Sequence, residues 1–144
     1  MSSAERLYTP ELLSLTIRLA NYPLNHDFPL HGSARSKSCG STLEIGLSVN
    51  SVGEITELGM RVQACAIGQA SAAIFADVAK GMDLASIEKV LEEVTNWLVA
   101  DSPKPEWPGF AALEPARAFK GRHGAMLLPW LAARDALSSE RPSG

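Results

Sequence analysis

A small antiparallel β-sheet covered on one face by helices, an α+β architecture, is the fold class that three features of the sequence predict. Two consecutive segments alternate apolar and polar residues with period two, the mark of half-buried strands. A turn-forming tetrapeptide separates them. Segments with apolar residues at helical spacing lie before and after this pair.

The elements follow in order. Leu7, Leu12, Leu13, Leu15, Ile17 and Leu19 accompany Thr9-Pro10-Glu11, an N-cap, a first-turn proline and an early acid, so a helix is predicted from about Thr9 onward. Asn21 to Lys37 is polar, contains Pro23, Pro29 and Gly32, and shows no apolar period, which predicts a loop leading into Cys39. Leu43, Ile45, Leu47 and Val49 alternate along a first strand from Thr42. Asn50-Ser51-Val52-Gly53 supplies the turn, and Leu58, Met60, Val62 and Ala64 define a second strand pairing back on the first. Cys39 and Cys65 therefore bracket one hairpin, and simple register brings them to one end of it.

An alanine-rich helix over 67–80, with Ile67, Ala70, Ile74 and Val78 on one face, starts at Cys65 and stops at Gly81. The unpaired N–H groups of its first turn favour a thiolate, so Cys65 is expected to have a lowered pKa. Arg35 and Lys37 are expected to act similarly on Cys39. Asp83 or Ser86 caps a further helix with Ile87, Val90, Leu91, Val94, Trp97 and Leu98 in its stripe. Asp101 to Gly109 holds Pro103, Pro105 and Pro108 and is a connection, with Trp107 as its anchor. The last helix runs from near His123 to Leu137, interrupted or kinked at Pro129.

With 144 residues, 46% hydrophobic and 20% charged, the chain is expected to form one domain over 1–144, its last residues, 138–144, a flexible tail. A core of that size needs no disulfide or metal staple. The 13 basic against 16 acidic residues, net charge -3, form no basic stripe, which argues against nucleic acid and anionic membranes as partners. No apolar run approaches the ~20 residues of a membrane span, and the first residues lack a signal peptide's apolar stretch, so a cytoplasmic location is expected. There is no phosphate-binding glycine loop, Ser-His-Asp pattern or H-E-x-x-H, and no enzyme activity is expected.

Gly32-Ser33-Ala34-Arg35-Ser36-Lys37-Ser38-Cys39-Gly40, the hairpin, Ala64-Cys65-Ala66-Ile67-Gly68-Gln69-Ala70-Ser71-Ala72, Lys80-Gly81 and Arg122-His123 stand in an order that resembles the IscU/SufU/NifU N-terminal family of iron-sulfur cluster assembly scaffolds. The resemblance spans most of the chain and implies an IscU/SufE-like fold. It implies a site of three cysteines with an aspartate two residues after the first. Cys39 and Cys65 match the first two cysteines, Ser41 stands at the aspartate position, and Gly124 stands at the third cysteine, with His123 just before it. The chain thus resembles a degenerate member, with Cys39, Cys65 and His123 as implied ligands and Ser41 a weak further one.

Such a site implies iron or an iron-sulfur cluster, of the two-iron two-sulfur kind, or else zinc. Clusters usually take four soft ligands. One chain offers at most Cys39, Cys65 and His123, so a homodimer contributing two cysteine pairs is one completion. The proline-rich chaperone motif of some members is absent, Ala118-Phe119-Lys120-Gly121-Arg122 standing in its place. The implied partners are a cysteine desulfurase and apo iron-sulfur client proteins. Three functions follow: a scaffold or carrier of clusters, ranked first; a SufU/SufE-like zinc-binding or persulfide-accepting sulfur-transfer partner; and a metal-free module regulating the assembly machinery.

The plainer readings are these. A cytosolic cysteine is by default a small buried hydrophobe. His26 and His31, near Asp27, match no common metal spacing and read as surface residues. Glu88, Glu92 and Glu93 read as the wet face of a helix, and Trp97, Trp107 and Trp130 as core and loop anchors.

Overall fold

The structure, a computed structural model, describes residues 8–24, 27–37, 39–100 and 102–138. Helix α1 spans Pro10–Arg18, and the Leu12 N–H donates to the Thr9 hydroxyl at 3.1 Å, the cap that the sequence predicts. Three strands follow: β1 (Leu30–Arg35), β2 (Thr42–Val49) and β3 (Ile55–Gln63), antiparallel in the order β1-β2-β3. Helices α2 (Ala66–Val78), α3 (Leu84–Val99) and α4 (His123–Ser138) complete the α+β fold, with short 3-10 turns at Leu19–Asn21, Phe110–Ala118 and Lys120–Arg122.

Strand β1 corrects the expectation of a loop over 21–37. Its inward residues are Leu30, Gly32 and Ala34, alternating with His31, Ser33 and Arg35. Helix α4 lies directly on this strand. A Cβ at Gly32 would come within 2.2 Å of the Ala132 carbonyl oxygen. Close helix approach demands small residues, so the inward face has no run of large apolar side chains for a hydropathy pattern to register.

The hairpin forms as predicted, with Leu43 opposite Val62 and Ile45 opposite Met60. Leu43, Ile45 and Leu47 are fully buried beneath the helices. At the turn, the Asn50 side-chain oxygen accepts from Val52 and Glu54 N–H, and Gly53 takes φ +84°. The opposite face of the sheet carries Gly46 paired with Gly59, and the buried Phe28 ring lies over both. The segment that delivers Phe28 first runs beside β3, where the Met60 N–H donates to the Tyr22 carbonyl at 2.8 Å.

Helix α2 ends at Val78, two residues before the predicted Lys80, and Gly81 follows with φ +90°. Asp83 caps α3 by accepting from the Ser86 N–H at 2.9 Å. Of the interruption or kink expected at Pro129, the interruption does not occur: the residue lies inside the continuous helix α4. The 3-10 stretch at Phe110–Ala118, within a segment for which no element was predicted, buries Phe110, Leu113 and Ala116.

The tryptophans are core residues, as expected. Phe75 stacks on Trp107 at a centroid distance of 5.7 Å and meets Trp130 edge-on at 5.6 Å. The Trp107 indole N–H donates to the Ile74 carbonyl at 2.9 Å and anchors the proline-rich connection to α2. Among the described residues no helix is long and apolar enough to cross a membrane. His26, Asp101 and the predicted tail beyond Ser138 lie outside the described residues.

Candidate thiol site at the end of the sheet

The two cysteines emerge at one end of the sheet from different elements. Thr42 opposite Gln63 is the last register pair of β2 and β3, and Cys39 lies just before the first of these strands and Cys65 just after the second. Cys39 belongs to the loop joining β1 to β2. The Ser36 N–H donates to the Ser41 carbonyl at 2.8 Å, extending the ladder, and the Gly40 N–H returns to the Ser36 carbonyl at 2.8 Å. Closing this tight loop takes φ +72° at Gly40, a conformation that glycine adopts freely. Cys39 is left exposed at its tip.

The Cys39 sulfur has two serine hydroxyls beside it, and as a thiol it donates to that of Ser36. Its Sγ lies 3.1 Å from the Ser41 hydroxyl and 3.3 Å from the Ser36 hydroxyl, and both serines are buried. These two hydroxyls, then the Ser41 backbone N–H, lower the pKa of Cys39 from 9.0 to about 7; slight burial opposes them and the Arg122 guanidinium adds to them. The lowering that the sequence suggests from Arg35 and Lys37 thus comes instead from hydroxyls within the loop and a cation some eighty residues further along the chain.

Cys65 is the N-cap residue of α2, half-buried and packed against the core. Its backbone is extended, with φ -63° and ψ 172°, and its carbonyl accepts from the Gln69 N–H at 3.0 Å. The Gln69 side chain donates to the Ala64 carbonyl at 2.9 Å and ties the end of β3 to the start of the helix. Helix and strand together thus fix the position of Cys65.

His123 opens α4, half-buried, with Nε2 2.6 Å from the Arg117 carbonyl oxygen. That nitrogen is engaged by the backbone. Arg117 in turn donates to the Trp97 and Ala100 carbonyls at the end of α3 and lies over the Trp97 ring. Among the described residues no three His, Cys, Asp or Glu side chains come together in a group that could hold a metal ion, so Cys39, Cys65 and His123 do not form such a set. Ser41 contributes a hydroxyl to the Cys39 sulfur. Glu88 and Glu92 are exposed and Glu93 partly so, as a wet helix face requires, and His31 is exposed on β1.

Sequence reasoning missed two residues of the site, Ser36 and Arg122. Ser36 reads as one more polar residue of a serine-rich stretch. Arg122 becomes relevant only when the start of α4 is folded onto the β1–β2 loop.

No family model matches the sequence, and no curated protein does. Solved structures do match. The NifU-like nitrogen-fixing protein (N-terminal) from Brucella abortus superposes with a TM-score of 0.86 at 25% identity, over 97% of this chain and all of that one. The fold of this chain is the NifU-like one. A protein described as an iron-sulfur cluster assembly scaffold for the SUF system, from Fervidobacterium islandicum AW-1, matches the same fold with a TM-score of 0.79 at 16% identity, over 91% of this chain and 96% of that one. In the NifU-like fold thus recognised, the end of the sheet carrying Cys39 and Cys65 is the place where the sequence resemblance puts the scaffold site.

Proposed function

We propose that this protein is an iron-sulfur cluster assembly scaffold or carrier that accepts sulfur from a cysteine desulfurase and holds iron or a nascent cluster on Cys39 and Cys65. The observation that carries the reading is an exposed cysteine with a pKa of about 7, at the same end of the sheet as a second cysteine, in a chain that matches a NifU-like protein over nearly its whole length. A thiolate is both the nucleophile for sulfur transfer and the soft ligand that iron requires. Iron and sulfide are cargo here. They are received, assembled and passed to apo client proteins.

The donor set bears on how cluster assembly proceeds. Two thiols supply half the usual ligands of a cluster, and the His123 Nε2 is engaged by the Arg117 carbonyl. A two-iron two-sulfur cluster therefore takes its remaining ligands from outside the chain, and a second copy related by two-fold symmetry supplies them symmetrically. The absence of a three-donor group among the described residues favours one second reading, a SufU/SufE-like protein that accepts persulfide without holding a cluster, or that binds zinc with help from outside. The soluble compartment in which such machinery works is the cytoplasm.

The test is anaerobic purification of the wild-type protein and of the Cys39→Ser/Cys65→Ser double variant, read by visible absorption and by iron, sulfide and zinc content. Visible absorption with about one cluster per dimer, lost in the double variant, is the expected result. A colourless protein that still takes sulfur from a desulfurase would replace the scaffold by the sulfur acceptor. A protein that takes neither would overturn both readings.

A further inference from the structure

We propose that Ser41, with Ser36, is the specificity-determining residue of this site: the paired hydroxyls fit it to an anionic sulfur cargo on Cys39 in preference to a metal cation. The inference rests on the reading of Cys39 as a sulfur acceptor and adds which groups select what it carries.

The argument is geometric. Ser36 and Ser41 are 4% and 6% exposed, so their hydroxyls are held in place rather than sampling solvent. Both oxygens converge on one sulfur, at 3.3 and 3.1 Å. The Ser41 backbone N–H points at the same atom, and the positive field of Arg122 reaches it. Among the described residues no carboxylate acts on this sulfur. Asp and Glu side chains form no metal-holding group with Cys39 among the described residues. A metal ion arriving at Cys39 would meet the Ser41 N–H dipole and the field of a guanidinium, with only neutral hydroxyl oxygens beside the thiol. A terminal persulfide anion would meet the same groups as hydrogen-bond donors, the charge-assisted kind that is roughly twice as strong as a neutral one.

The step itself balances without an added oxidant or reductant. The Cys39 thiolate attacks the terminal sulfur of a cysteine persulfide on the desulfurase. The sulfur–sulfur bond there breaks, and its electron pair leaves on the desulfurase cysteine as a thiolate. A new sulfur–sulfur bond forms on Cys39, and the proton of the terminal sulfur passes to the departing thiolate or to water. Ser41 and Ser36 then donate to the sulfurs now carrying the charge.

The experiment compares the full-length wild-type protein with Ser41→Asp, Ser41→Ala and Ser36→Ala. Each is incubated with a cysteine desulfurase and L-cysteine under metal-free conditions, and the mass gain of one sulfur atom on Cys39 is followed in time. Zinc uptake is measured separately on protein that has seen no desulfurase. Ser41→Ala and Ser36→Ala are expected to slow sulfur loading by about tenfold, the order of one hydrogen bond to a charged group. Ser41→Asp is expected to slow it further and to bind zinc more tightly, by about tenfold, because a carboxylate adds a hard anionic ligand beside the thiolate. Opposite signs in one variant separate selection from damage to the fold, which would lower both. Equal sulfur loading in all four proteins, or zinc binding by Ser41→Asp no tighter than by wild type, would overturn the inference while leaving the sulfur-acceptor reading standing. No sulfur on wild-type Cys39 would overturn the two together.

Discussion

Cys39 can be tested without any partner. With its pKa at about 7, its alkylation by iodoacetamide should rise with pH through that value, and Cys39→Ser should remove the phase. Ser36→Ala should move the midpoint upward, because the first cause of the lowered value is then gone. The same shift bears on stability. A thiol whose pKa is lower in the folded chain contributes stability that is fully present above its unfolded value near 9.0 and is lost as pH falls through about 7. Denaturation midpoints of wild type and Cys39→Ser should therefore differ more at pH 9 than at pH 6. Gly40 sets the loop that aims this thiol. Gly40→Ala has space for its methyl group but must adopt φ +72°, at a cost of about 1–2 kcal/mol, measurable by urea unfolding.

Among the elements, β1 is the most informative because its stability comes from backbone pairing and close approach, with little from large side chains. Three packing points hold it: β2 on one side, α4 across Gly32, and the Asp135 carboxylate of α4, which accepts from the Ser33 N–H at 3.0 Å on the free edge. That carboxylate occupies a donor which an approaching strand would otherwise use. Gly32→Val should destabilise the protein by roughly 2–3 kcal/mol, since the clash is with helix backbone that cannot rotate away. Urea unfolding checks it, and a change of less than 1 kcal/mol would show that α4 can lift from the strand. Helix α1 offers a milder contrast: Thr9→Ala removes one cap hydrogen bond and should cost about 1 kcal/mol.

Across the whole molecule, the aromatic cluster joins pieces that are distant in sequence. Phe75 of α2, Trp107 and Phe110 of the segment between helices, Trp97 of α3 and Trp130 of α4 meet at centroid distances between 5.2 and 6.1 Å. Trp130 ties α4, whose start follows Arg122, into this cluster. Trp107→Phe keeps an aromatic ring but removes the buried indole N–H that donates to the Ile74 carbonyl, and should lower stability by about 1 kcal/mol in thermal or urea unfolding. A midpoint unchanged by this substitution would show that the indole hydrogen bond adds nothing beyond the packing of the ring.

The fold class, the β2–β3 hairpin, four of the helices, the caps at Thr9 and Asp83 and the two cysteines at one end of the hairpin were legible in the sequence. Each depends on local period, cap chemistry or turn residues, interactions between neighbours in the chain. Strand β1 was not legible, because Gly32 and Ala34 on its inward face are small where α4 approaches, and that helix is one hundred residues away. The site divides along the same line. Cys39, Cys65 and Ser41 could be named from their order and spacing. That two buried serine hydroxyls and Arg122 set the character of Cys39, while His123 turns its Nε2 to the Arg117 carbonyl, was decided by the tertiary structure alone, since hydrogen-bond geometry and charge proximity depend on where distant segments pack.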